Sequence, residues 1–149
     1  MSSRRIFISY KFSGLPEPKI RSLLDPIYQA LQTLDGYQVY CNCTWWIMYT
    51  PNMNTNKLMR KCLAQIQTGD IFLLVLNDYG LGHNNIWHGS LIELGHALAK
   101  GCTVLAHVQK GAMYDDTGKL HTALSLCAQI NDFKEIGDIA KLLDMVKIY

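Results

Sequence analysis

Along the chain, short runs of apolar residues alternate with longer stretches in which apolar residues return every three or four positions. "RRIFISY" reads as a buried strand and is followed by a loop holding Gly14, Pro16 and Pro18. After it, Ile20, Leu23, Leu24, Ile27, Leu31 and Leu34 trace one face of a helix. Pro26 within that helix predicts a kink, or a later start after Asp25. "GYQVYCN" is a second strand, and "KLMRKCLAQIQTG" a second helix closed by Gly69. The most apolar run, "DIFLLVLN", fits a central strand covered on both faces. A helix from Ser90 to Lys100, a strand "CTVLAHV", a weaker helix at "LHTALSLC", a short strand near "AQINDF" and a terminal helix "EIGDIAKLLDMV" complete the pattern. Parallel neighbours need crossover helices, so this alternation predicts an α/β fold, doubly wound in three layers, with a five-stranded parallel sheet in a single domain over residues 1–149.

In open sheets of this kind the ligand crevice lies outside the carboxyl ends of the strands, where strand order reverses. The loops expected there are "YKFSGLPEP", "CNCTWWIMYTPNMN", "NDYGLGHNNIWHGS" and "QKGAMYDDTGK". Their aromatic residues suit a flat heteroaromatic ligand such as a nucleobase, although Trp45 and Trp46 would equally close the rim of the core. The glycines of "YGLGHNN" either cradle a phosphate or make a flexible loop, and they lack both the dinucleotide fingerprint and the P-loop lysine.

Composition narrows the classes. A formal charge of +2, from 14 basic and 12 acidic residues without long runs, gives no polyanion stripe, and nucleic acid is not expected as a partner. No segment reaches membrane-spanning length or carries a signal-peptide core, which predicts a soluble cytoplasmic protein with no membrane partner. The five cysteines are an odd number, expected to stay as thiols in a reducing compartment. Cys41 and Cys43, with His83 or His88, form a conceivable zinc set, but paired C-x-x-C knuckles are missing; no metal and no cofactor are expected. Cys62 and Cys127 fall in apolar helical patterns as small core residues.

One residue breaks the pattern of "WHGSLIELGHALAKG". Glu93 sits among Leu91, Ile92, Leu94, Ala97 and Leu98, which are expected to pack that helix on the sheet. "SLIE" matches a capping box, in which Glu93 would reach back to the first amide of the helix and do nothing else. The other reading places Glu93 in the first turn, over the end of the central strand, kept ionised by the helix N-terminus. An ionised carboxylate facing the anomeric carbon of a nucleoside displaces the base and holds the sugar as an ester.

"GDIFLLVLNDYG" with "GSLIELGHALAKGCTVLAHV" resembles the signature of the nucleoside 2-deoxyribosyltransferase family and its nucleotide N-glycosidase relatives. The likeness is carried by Gly69 to Val108, and the rest of the chain agrees in its alternating order. It implies a flavodoxin-like fold, cleavage or transfer at an N-glycosidic bond, and Glu93 as the nucleophile. It further implies that Gly89 and Ser90 form a turn contacting sugar or phosphate, and that Tyr10 and Phe12 lie near the base. Trp45, Asn77, Asp78 and His88 complete the expected substrate-binding set. A homo-oligomer is also implied, since family sites are often completed across subunits, in some by the C-terminal end, here Tyr149. The departures are specific. The family aspartate on the second helix falls at Cys62, eight residues before Asp70, and the polar residue usual six before the nucleophile is Trp87. The general acid therefore has only loop candidates: Asp78, His88, Asp115 and Asp116.

"RIFISY" is also similar to the opening strand of TIR domains, which place a tryptophan before a catalytic glutamate. Trp87 precedes Glu93 by six residues, a wider spacing than those domains use. That likeness implies NAD as substrate with one essential glutamate, or a nucleotide-binding or protein-interaction module without turnover. The ligand classes carried forward are thus a nucleoside, a nucleotide or NAD.

Overall fold

The computed structural model describes residues 3–11, 15–41, 55–81, 85–134 and 138–149; Phe12, Cys43, Trp45, Trp46 and His83 lie outside them. Five strands, β1 (Arg4–Ser9), β2 (Tyr37–Cys41), β3 (Ile71–Leu76), β4 (Thr103–Gln109) and β5 (Gln129–Phe133), form one sheet in the order β2-β1-β3-β4-β5. Every neighbouring pair is parallel. This is the flavodoxin-like doubly wound order, and its switch point lies between β1 and β3.

Strand alternation divides the core into two halves. On one face Phe7, Phe72, Leu74, Leu76, Val104 and Ala106 pack beneath Leu58 and Cys62 of α2 (Thr55–Gln65), Ile66 just after it, and Leu94 and Ala97 of α3 (His88–Ala99). On the other, Ile6, Ile8, Leu73, Val75 and Leu105 meet Ile20, Leu24, Ile27 and Leu31 of α1 (Glu17–Gln32). All six residues of β3 are buried, as expected of a strand covered on both sides. The short α4 (Thr122–Ser125) adds Ala123 and Leu124 to the first half, and α5 (Ala140–Ile148) adds Leu142, Met145 and Val146 to the second.

Three local expectations change. Helix α1 runs unbroken through Pro26, because residues on both sides of the proline bury one continuous stripe on the sheet. Helix α3 starts at His88 with Trp87 as its cap residue and has no side-chain cap and no acidic residue in its first turn, so the "SLIE" capping box does not form. Leu91, Ile92 and Leu98 are 43%, 53% and 39% exposed, and the face that packs on the sheet carries Ser90, Glu93, Leu94 and Ala97 instead. The spacing of these four is the helical one; the sequence has apolar residues on both sides of this helix, so hydrophobicity alone did not mark the inner face. The other end behaves as expected: Gly101 takes φ +70°, its amide donates to Leu98, and the Cys102 amide donates to Ala97, a Schellman closure.

The amino-terminal edge of the sheet is tied by charge. Arg5 pairs with Asp70 at 3.3 Å and lies over the Tyr40 ring, while Arg4 donates to the Tyr149 carbonyl and the Tyr149 hydroxyl to Gln129 Oε1 at 3.1 Å. Tyr149 therefore sits at the end of the sheet opposite the switch-point crevice. Cys62, Cys102 and Cys127 are free thiols, whereas Cys41 is disulfide-bonded, against the expectation that all five stay reduced. Among the described residues no helix is long and apolar enough to cross a membrane.

Candidate active site around Glu93

The sequence of β1 builds the site. Phe7 and Ser9 share the face that looks toward α2 and α3, and Ser9 pairs in register with Leu74 at the carboxyl end of the sheet. A polar residue thus ends an otherwise apolar strand face, directly below α3. Glu93, on the inner stripe of α3 and only 3% exposed, meets it there: Ser9 Oγ lies 2.8 Å from Glu93 Oε1 and 3.0 Å from Ser90 Oγ. The Cys62 side chain, from α2, makes a second hydrogen bond to Glu93. Ser9 from β1 and Cys62 from α2 thus converge on one carboxylate of α3.

Burial dominates the electrostatics. Withdrawal from water raises the Glu93 carboxyl from 4.5 to about 7, and the bonds from Ser9 and Cys62 pull it down only in part. The expectation that the helix N-terminus keeps Glu93 ionised fails on geometry, since the residue lies in the second turn, beyond the reach of the terminal dipole. Near neutral pH the carboxyl is therefore poised between its two forms.

Glu93 opens into a narrow cleft of about 10 Å³, room for roughly one water molecule, lined by Ile8, Ser9, Tyr10, Leu58, Cys62 and Trp87. Among the described residues, no lysine, arginine or second carboxylate belongs to that lining. Trp87 is half-buried and its indole crosses Gly89 so closely that a methyl group there would lie 2.3 Å from the ring. Gly89 admits the tryptophan, then, rather than a turn for a ligand; both it and Ser90 are already helical and buried.

The remaining expected residues fall elsewhere. Asn77 and Asp78 line a second, wider cleft of about 470 Å³ on the α1 side, with Lys19, Tyr79 and Gln109. There Asp78 serves the loop: its amide donates to Gln109 Oε1 and its Oδ1 accepts from Gly80. His88 is exposed at the first position of α3. Asp115 accepts from the Thr117 amide and hydroxyl and from the Lys119 amide, closing its own turn, and Asp116 is exposed. Phe12 and Trp45 lie outside the described residues. Among the described residues no three His, Cys, Asp or Glu side chains converge as a metal site.

Ser9 and the contact of Cys62 with Glu93 were not legible as site features. The available signal was the serine that interrupts the apolar side of "RRIFISY"; Cys62 looked like any small core residue until its neighbour was known.

Comparison with solved structures agrees with the fold. The chain is similar to the CMP N-glycosidase BcmB of Clostridium botulinum, with a TM-score of 0.56 and 14% sequence identity over 96% of this chain and 99% of that one. At that identity the likeness establishes a shared fold along nearly the whole length of both proteins. No family model matches the sequence, and no curated protein matches it.

Proposed function

We propose that the protein cleaves or transfers at the N-glycosidic bond of a nucleoside or nucleotide, with Glu93 as nucleophile. The observation that carries this reading is a carboxylate buried at the switch point, held by Ser9 and Cys62 and open to a cleft beside Trp87. Burial of an ionised carboxylate is costly, and that cost is relieved when the group meets the positive charge that develops on the sugar ring and becomes an ester. The C–N bond to the base breaks as the Glu93–sugar bond forms, and water or a second base then takes the sugar. The shared fold with a CMP N-glycosidase supports the same chemistry.

A second reading, cleavage of NAD by a single glutamate, is supported by a cleft lining that, among the described residues, holds Glu93 as its one carboxylate. One experiment addresses both. Ribo- and deoxynucleosides, their monophosphates and NAD are incubated with the natural protein and with Glu93→Gln, and free base is measured by chromatography. Base release lost in the variant is the expected result, and the substrate that responds chooses between the readings. A folded natural protein that releases base from none of them contradicts both.

A further inference from the structure

Ser9 stands between two oxygens, Glu93 Oε1 on one side and Ser90 Oγ on the other, and all three residues are at most 3% exposed. A hydroxyl carries one proton and accepts through two lone pairs, so two hydroxyls in series match a carboxyl in either of its forms. With Glu93 ionised, Ser90 donates to Ser9 and Ser9 donates to Glu93. With Glu93 protonated, the acid donates to Ser9 and Ser9 to Ser90. In both forms Ser9 and the Glu93 oxygen it faces are matched, and reversal needs only rotation of two hydroxyl protons.

We infer that the Ser9–Ser90 hydroxyl pair is the positioning device for Glu93, fixing the carboxyl oxygen in place while its proton comes and goes. Its value for turnover rests on the nucleophile reading above; the positioning itself does not. Among the described residues, the groups facing Glu93 are Ser9 at the end of β1 and Tyr10 just after it, Cys62 from α2, Ser90 on its own helix and Trp87 just before it. No charged group among these competes with the hydroxyl pair. Cys62 adds a weaker donor, since a thiol hydrogen-bonds less strongly than a hydroxyl.

The chain has three glutamates, Glu17, Glu93 and Glu135, so carboxyl carbon-13 labelling of glutamate gives a spectrum in which Glu93 is assigned by its loss in Glu93→Gln. Titration of the natural protein, Ser9→Ala, Ser9→Thr and Ser90→Ala then reads the device directly. Both forms lose a bond in Ser9→Ala, but the one to the charged carboxylate is the stronger, so the Glu93 midpoint moves upward, by about one pH unit. Ser90→Ala shifts it less in the same direction, and Ser9→Thr, which keeps the hydroxyl, restores it. An unchanged midpoint in a folded Ser9→Ala, or in Ser90→Ala and Ser9→Thr together should Ser9→Ala not fold, overturns the inference. Base-release profiles of the same proteins separate the two ideas. A shifted midpoint in a protein that never releases base sinks the glycosidase reading and leaves the pair standing, whereas base release through Glu93 with an unmoved midpoint sinks the pair alone.

Discussion

At the scale of the residue, Glu93 holds two properties in tension: a carboxylate must be ionised to attack, yet its surroundings resist ionisation. With its carboxyl near 7, kcat/KM for base release should rise about tenfold per pH unit below that value and level above it. A pH–rate profile with a level acid side from pH 5 upward would contradict this. Stability carries the opposite sign. Folding raises the carboxyl from 4.5 to about 7, so the native state binds this proton more tightly than the unfolded chain. The contribution to stability is full below 4.5 and is lost as pH rises through 7. Glu93→Gln removes the charge, and should stabilise the protein by up to about 3 kcal/mol well above pH 7, with little change near pH 4.5. Thermal melts of the two proteins across that range check it, and equal melting temperatures at pH 9 would contradict it. A group that costs stability where it works is common at functional sites.

At the scale of the element, helix α3 shows what a sequence displays and what it conceals. Its existence and its C-terminal closure at Gly101 were legible, because an apolar segment ending in "AKG" has one ordinary structural reading. Its inner face was not, because Leu91, Ile92 and Leu98 point outward while a serine and a glutamate point in. Hydrophobicity ranks faces only when the faces differ, and here the polar pair turns inward toward Ser9. The order of strands along the chain was equally legible, but the partners of β1 were not, since pairing is set in three dimensions. At its start, α3 depends on Gly89 lying beneath the Trp87 indole. Gly89→Ala must displace that ring from the wall of the Glu93 cleft. Base release should fall at least tenfold, while the higher helix propensity of alanine offsets part of any stability loss, about 1 kcal/mol. Wild-type activity in Gly89→Ala would show that Trp87 does not shape the cleft.

At the scale of the whole molecule, two buried ionisable groups set opposite limits on stability. His107 in β4 is fully buried, stacks on Phe133 at 4.2 Å and lies with Nδ1 2.9 Å from Asn131 Nδ2. Burial lowers it from 6.5 to about 4, with the Asp138 charge opposing in part. A depressed histidine supports folding fully above 6.5 and loses that support as pH falls through 4. The Glu93 window overlaps it with the opposite slope, so together the two predict a melting temperature level between 4.5 and 6.5 that falls off on both sides. His107→Gln should flatten the acid limb and Glu93→Gln the alkaline limb, each leaving the other limb in place; limbs that move together would refute the assignment of one group to each.

Passage of the sugar through the Glu93 carboxylate is read by mass spectrometry of protein quenched in acid during turnover of whichever substrate releases base. A mass increase equal to the substrate's sugar, or sugar phosphate, is expected on the peptide that contains Glu93, absent in Glu93→Gln. Base release that persists in Glu93→Gln, with no adduct on that peptide in the natural protein, would contradict it.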